Sequence, residues 1–242
     1  MVVPHTYIIL QARMGSERLP GKVMRKIKGI PMIGIQIQRL KQSGIPIILA
    51  TSNHPENDIL ADYVQKIGLK VYRGSEDNVL ERFYFAAKKH KASFIIRMTG
   101  DNPLTDGIFI RKTLNQIDYT VPRMYFSPGK SKTWPLGTSF ELFSFELLQE
   151  AYNNMSNSRE KEHVTTYMHQ NTPGDIRIKT IARHESKAHY RLTVDTAQDF
   201  KLIKILVEKH SCELLETDEI IRVLDSNVSL TLINKDVKQK SI

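Results

Sequence analysis

The stretch YIILQARMGSERLPGKV, residues 7–23, changes character partway along. Tyr7 to Leu10 have the apolar, β-branched character of a buried strand; Gln11 to Val23 then bring two arginines, two glycines and a lysine. A strand running into such a loop suits a polyphosphate, because glycine lets backbone N–H groups approach closely and the cations neutralise charge. The spacing excludes a Walker loop. Five residues separate Gly15 from Gly21 where that motif has four, and Val23 follows Lys22 where a Ser or Thr hydroxyl must hold magnesium.

Similar apolar runs recur at Ile45 to Ala50, Leu69 to Tyr72 and Phe94 to Met98, each predicting a buried strand. Helical patterns lie between them, the clearest being Ile59, Leu60, Tyr63, Val64 and Ile67 on one face. This alternation predicts an α/β fold: parallel strands, right-handed crossovers, and ligands at the carboxyl ends of the strands. The polar segments after the four runs are the Arg/Gly/Lys loop, ATSNHPEND (50–58), RGSEDN (73–78) and RMTGDNPL (97–104). All four are expected on one edge of the sheet, around a single site.

Beyond residue 115 the pattern loosens. DYTVPRMYF (118–126) and TSFELFSF (138–145) read as strands, the second with Glu141 outward, and SPGKSKTWPLG (127–137) between them as a loop or flap that could cover a substrate. FELLQEAYNNM (145–155) and REKEHVTTYMHQ (159–170) read as helices, DIRIKTI (175–181) and YRLTV (190–194) as strands. DTAQDFKLIKILVEKH (195–210) reads as a helix capped by Asp195 or Thr196. No repeat or linker divides the chain, so one domain is expected over 1–242, with a nucleotide-binding half (1–115) and an acceptor-binding, metal-completing half (116–242).

Composition narrows the function classes. With 40% hydrophobic and 25% charged residues the chain is an ordinary globular one; its single cysteine, Cys212, excludes an internal disulfide, and the sequence has no metal-type Cys/His cluster. No apolar run approaches a membrane span, and Met1 to Gln11 lacks the basic start and cleavage site of a signal peptide. A soluble, cytoplasmic protein with no membrane partner is expected. The net charge of +9 suits nucleic acid or anionic small molecules alike, but the basic runs Lys88 to Lys91 and Lys235 to Lys240 lack interleaved aromatics. They read as solvated faces, and no nucleic-acid partner is expected.

Five motifs, QARMGSERLPGKV, RGSEDNVLERF, MTGDNPL, KEHVTTY and RLTVDTAQDF, stand in an order and spacing that resemble one family. It is that of the bacterial cytidylyltransferases of the spore-coat-polysaccharide type, related to the acylneuraminate and 3-deoxy-octulosonate cytidylyltransferases that make CMP-sugars. The resemblance runs from about Ile8 to Leu206. It implies a Rossmann-like nucleotidyltransferase fold, a mostly parallel sheet flanked by helices, and a Mg-dependent enzyme that transfers CMP from CTP to a small-molecule acceptor in surface-glycan biosynthesis. A homodimer is implied as well. Arg13 and Lys22 match the family's triphosphate-binding pair, and with Asp101 they form the catalytic set. Gly15, Gly21, Ser16, Arg18, Thr99 and Gly100 join them in the nucleotide-binding set, with Gln11 and Ala12 beside the base, Ser52 in support, and Arg73 with Asp77 near the nucleotide.

Asp101 and Asp195 match the two magnesium-binding aspartates, and magnesium prefers one or two carboxylates with substrate phosphate oxygens. Helix capping is the competing reading for Asp195, and loop tethering for Arg18. Where these relatives usually show DGxDxE, this chain has LGTSFE (136–141), so Leu136 and Ser139 replace two acids. Gly137, Ser139, Glu141 and His163 are the expected acceptor-binding residues. Two other readings stay open: a nucleotidyltransferase that uses another NTP, and a noncatalytic nucleotide-binding protein.

Overall fold

The computed structural model describes residues 4–171 and 173–239; Met1–Val3 and the end of the basic tail from Lys240 lie outside the described residues. Strand β1 (Thr6–Gln11) is central, with Ile8, Ile9 and Leu10 wholly buried. A short ladder of β2 (Lys26–Ile27) with β3 (Ile30–Pro31) follows, then α1 (Met32–Lys41), β4 (Ile47–Ser52), α2 (Asp58–Lys66), β5 (Lys70–Gly74), α3 (Val79–Lys89) and β6 (Phe94–Thr99). Strands β5, β4, β1 and β6 lie side by side in that order, all parallel. The register sets Gln11 opposite Ala50 on one side and Thr99 on the other, so the loops after β1, β4 and β6 emerge at one edge.

The chain continues through α4 (Gly107–Leu114), β7 (Met124–Phe126), β8 (Glu141–Ser144), α5 (Phe145–Asn154), α6 (Ser158–Glu162), α7 (Thr166–Gln170), β9 (Arg177–Lys179), α8 (Ala197–His210), α9 (Thr217–Ser226) and α10 (Val228–Thr231). Strand β8 pairs antiparallel with β6 and with β7, and β9 runs parallel to β7. The result is a mostly parallel sheet between two helical layers. Alternation along β1 sends Ile8 and Leu10 into the layer of α1, α2, α4, α8 and α9, and Ile9 into that of α3, α5 and α7. Each such buried aliphatic side chain contributes roughly 1.5–3 kcal/mol.

Several elements differ from the sequence reading. On α2, Leu60 and Val64 are buried but Ile59 is 57% exposed, one position off the inward stripe. In 118–126 only Met124–Phe126 joins the sheet, because Pro122 has no N–H to donate and Arg123 is left-handed with φ 53°. The helix expected over 159–170 breaks into α6 and α7 at His163–Thr165, where buried Val164 is drawn into the core. Residues 190–194 form no strand. A single bridge links Leu136 to Arg191, and Val194 N–H instead donates to the Asp101 carbonyl at 2.7 Å, so the segment crosses the strand ends.

The expected flap is anchored. Pro128–Ser131 form a 3-10 turn, and the Trp134 indole donates to the Ile181 carbonyl at 2.8 Å while lying 4.5 Å from the Phe109 ring. Glu141 does not point outward: its carboxylate is enclosed by Arg97, Tyr125, Thr165 and His169. Among the described residues no helix is long and apolar enough to cross a membrane.

Candidate functional site

The loop after β1 is held from below and open above. Leu19 and Val23 are buried and tie it to the core, while the Met14 carbonyl accepts from Ser16 N–H at 2.9 Å and Gly21 N–H at 3.1 Å. Gly21 turns the chain with φ 65°, a left-handed conformation that favours glycine, into the 3-10 turn Lys22–Met24. Arg13, Ser16 and Arg18 are left facing the cleft.

The next two loops act as props. Asn57 is buried, accepts from Met14 N–H at 2.8 Å and donates to Ser52 Oγ at 2.8 Å. Arg73 donates to the carbonyls of Ser52 (3.0 Å) and His54 (3.1 Å) and pairs with Asp58 at 2.6 Å. Ser52, Arg73 and Gly21 therefore stand behind the cleft, and exposed Asp77 lies outside it. Gln11, Ala12, Arg13, Gly15, Ser16, Arg18, Lys22, Thr99, Gly100, Asp101, His163 and Asp195 all line the cleft, whose volume is about 580 Å³.

Its charges form one network. Lys22 Nζ lies 2.7 Å from the Val194 carbonyl, 3.0 Å from Asp195 Oδ1 and 3.9 Å from Asp101 Oδ2. Asp195 Oδ2 also meets Arg191 at 2.8 Å and Arg18 at 3.1 Å. The Thr99 hydroxyl donates to Asp101 Oδ1 at 2.5 Å and accepts from the Asn102 amide at 2.8 Å. Arg13, 46% exposed, pairs with Glu76 at 2.6 Å. Burial pushes the Glu76 carboxyl up, yet hydrogen bonds from Ser52 and Arg13 and the charges of Arg13 and Arg82 hold it below its ordinary value.

Capping belongs to other residues. Thr196 Oγ1 accepts from Asp199 N–H at 3.3 Å and Asp199 accepts from Thr196 N–H at 3.0 Å, a reciprocal capping box for α8. Asp106 caps α4 by accepting from Phe109 N–H at 3.0 Å. Asp101 and Asp195 are thus free of that duty. Their oxygens converge with the Val194 carbonyl on one cation position, a hard-oxygen donor set that fits a magnesium ion completed by substrate phosphate. Among the described residues no cluster of three or more His, Cys, Asp or Glu side chains forms a closed metal site.

A second cavity, about 520 Å³, adjoins the first, and Thr99 and His163 line both. Ser139, Glu141 and Leu136 line it, the last 39% exposed, together with Arg97, Lys130, Lys132, Arg159 and His169. Desolvation pushes the Glu141 carboxyl up, but Arg97 beside it and hydrogen bonds from His169, Tyr125 and Arg97 hold it well below the usual carboxylate range. The one acid here is therefore spent on its neighbours. Ser139 Oγ accepts from Gly129 N–H at 2.7 Å, which fixes the Lys130 turn. Gly137 faces neither cavity: its φ is +96°, and a Cβ there would lie 2.5 Å from Thr193 N, so it permits two segments to touch. Burial lowers the His163 pKa, as do Arg97 and Arg159, while Glu162 acts the other way.

Some members of the site carried no sequence signal. Arg191 joins Asp195 to Asp199 at 2.9 Å and donates to Gln239 Oε1 at 2.6 Å, a cleft residue from the distant tail. A basic residue in RLTVD gives no sign of such partners. Arg97, Tyr125 and His169 were likewise hidden, because only the strand pairing and the turn at His163 bring them together.

Residues 7–222 match the model of a family described as cytidylyltransferase. The chain is 34% identical over 233 residues to the spore coat polysaccharide biosynthesis protein SpsF of Bacillus subtilis, covering 90% of this chain and 93% of that protein. A cytidylyltransferase structure from Leptospira borgpetersenii serovar Hardjo-bovis superposes with a TM-score of 0.86 at 26% identity over 99% of each chain. A CMP:2-keto-3-deoxy-manno-octonic acid synthetase solved with CTP shares the fold, with a TM-score of 0.62 at 19% identity, covering 85% of this chain and 99% of that one. With the cation-lined cleft at the carboxyl edge of the sheet and a match of this extent, the chain belongs to the cytidylyltransferase family.

Proposed function

We propose that the protein transfers CMP from CTP to a small acceptor bearing an anionic group, with release of pyrophosphate, in surface-glycan biosynthesis. The observation that carries this reading is the junction of two cavities: a triphosphate-sized cleft with Arg13, Arg18 and Lys22, opening at Thr99 and His163 into a cavity richer in cations than in acids. The CTP bound in the fold relative and the glycan role named for the Bacillus subtilis relative support it. So does Gln11, whose Oε1 is buried without a hydrogen-bond partner while the residue lines the cleft, an acceptor suited to the exocyclic amine of a base such as cytosine.

In this reading Arg13, Arg18 and Lys22 bind the triphosphate and hold the α-phosphorus open to attack from the second cavity. A bond forms between the acceptor oxygen and the α-phosphorus as the bond to the β-phosphate oxygen breaks, and pyrophosphate leaves with the electron pair. For a hydroxyl acceptor, the neutral His163 imidazole at the junction accepts the proton. Asp101 and Asp195 would hold magnesium, which supplies charge neutralisation on the phosphate oxygens when bound. Lys130 and Lys132, which among the described residues have no ion-pair partner, attract the acceptor's anionic group.

The test is pyrophosphate release with each of the four NTPs against panels of sugar acids, sugar phosphates, amino sugars and neutral sugars. CTP with an anionic acceptor is expected to exceed any neutral pair at least tenfold. Preference for another NTP, or for neutral acceptors, overturns the respective part. CTP binding with no pyrophosphate from any acceptor favours the noncatalytic reading.

A further inference from the structure

The cation position between Asp101 and Asp195 is already taken by a group of this chain. Each carboxylate has one oxygen committed elsewhere: Asp101 Oδ1 to the Thr99 hydroxyl, Asp195 Oδ2 to Arg18 and Arg191. The remaining oxygens, Asp101 Oδ2 and Asp195 Oδ1, both face Lys22 Nζ, which also donates to the Val194 carbonyl. The three oxygens around the ammonium, at 2.7, 3.0 and 3.9 Å, are hard donors of the kind a divalent cation takes. The Lys22 and Asp195 side chains are only 12% and 11% exposed, so solvent screens the pair little.

We propose that in the nucleotide-free protein the Lys22 ammonium holds the divalent-cation position, and yields it only when a triphosphate draws Lys22 away. This rests on the reading of the cleft as a metal–triphosphate site. Two cations cannot occupy the same position between these oxygens, and an ammonium on a flexible four-carbon stem can exchange a carboxylate for a phosphate without moving the loop. The backbone stays where Leu19 and Val23 anchor it. By linkage, triphosphate then raises metal affinity and metal raises triphosphate affinity by the same factor. Free metal alone meets a closed site.

The experiment is a titration of nucleotide-free protein with Mn²⁺ alone, following free Mn²⁺ by electron paramagnetic resonance. Lys22→Met is expected to bind one Mn²⁺ at least tenfold more tightly than wild type. Lys22→Arg, which keeps the charge, is expected to show no gain, and adding Asp195→Asn to Lys22→Met to abolish it. Lys22→Met no tighter than wild type, or a gain that survives Asp195→Asn, overturns the proposal. Wild type binding one Mn²⁺ per chain at micromolar concentration overturns it even if Lys22→Met fails to fold. No nucleotide or acceptor is present, so the result is independent of which substrates the enzyme proves to use.

Discussion

Replacing Asp195 by Asn separates its electrostatic role from the capping role of its neighbour. The amide keeps the shape but removes the charge facing Lys22 at 3.0 Å, Arg18 at 3.1 Å and Arg191 at 2.8 Å. Removing one partner of a buried ion pair costs about 3–5 kcal/mol. The lower end applies here, because Asp199 still neutralises Arg191 and Asp101 still lies near Lys22. At a urea m-value of about 3 kcal/mol/M, a loss of about 3 kcal/mol lowers the unfolding midpoint by roughly 1 M. The second readout is CTP affinity in magnesium by calorimetry, where one lost charge-assisted contact of about 1.5–3 kcal/mol means a roughly 10- to 150-fold weaker Kd. Thr196→Val is the control: it removes the α8 cap, costs about 1 kcal/mol, and should leave CTP affinity unchanged. If Asp195→Asn behaves like Thr196→Val, with lower stability and full CTP affinity, the carboxylate is structural and the metal assignment fails.

Arg13→Ala should weaken CTP binding at least tenfold, with unfolding free energy within about 0.5 kcal/mol of wild type, because its pair with Glu76 is solvent-exposed; unchanged CTP affinity would remove Arg13 from the site. Arg73→Ala should do the opposite, lowering the melting temperature through three lost ties to the Ser52–Asp58 loop while CTP affinity changes less than threefold. Glu141→Gln should cost about 3 kcal/mol near neutral pH by stranding Arg97. Because the folded carboxyl titrates below its unfolded value of about 4.3, that contribution is present above about pH 4.3 and fades as pH falls further. Urea curves of both proteins should therefore converge in acid, and a constant gap at every pH would refute the assigned charge. Leu136→Asp with Ser139→Asp should reduce turnover of anionic acceptors relative to amino sugars about tenfold or more, measured as pyrophosphate release; equal turnover would show that the segment does not select the acceptor.

Strands β1, β4 and β6 were legible because each is a compact apolar run, and burial on both faces leaves such a pattern in any order of neighbours; β5, expected to be buried as well, is the sheet edge, with Lys70 and Arg73 exposed and Val71 and Tyr72 only half-buried. The loop after β1 was legible for a related reason: the turn at Gly21 and the anchors Leu19 and Val23 are local. What stayed hidden depends on distant partners. A cation after a strand reads alike whether it meets a ligand or ties down carbonyls, so Arg73 was expected beside the nucleotide and stands behind the cleft. Glu141 looked outward by alternation, but Thr165 and His169, at the start of α7 and within it, lie over its face and enclose it. The segment 190–194 has strand composition, yet its hydrogen bonds go to Leu136 and Asp101 instead of to a neighbouring strand.

The contact between Lys22 and Asp195 spans 173 residues of chain. A polypeptide emerging from a ribosome presents the cationic loop, and then Asp101, long before it can present Asp195. Closing so long a loop adds only logarithmically to the entropic cost, but it postpones the contact. A nascent or truncated chain that ends before Asp195 has the cation-rich loop but not the complete pair of carboxylates. Completion of this cleft thus serves as a report that the chain has folded at least from Lys22 to Asp195.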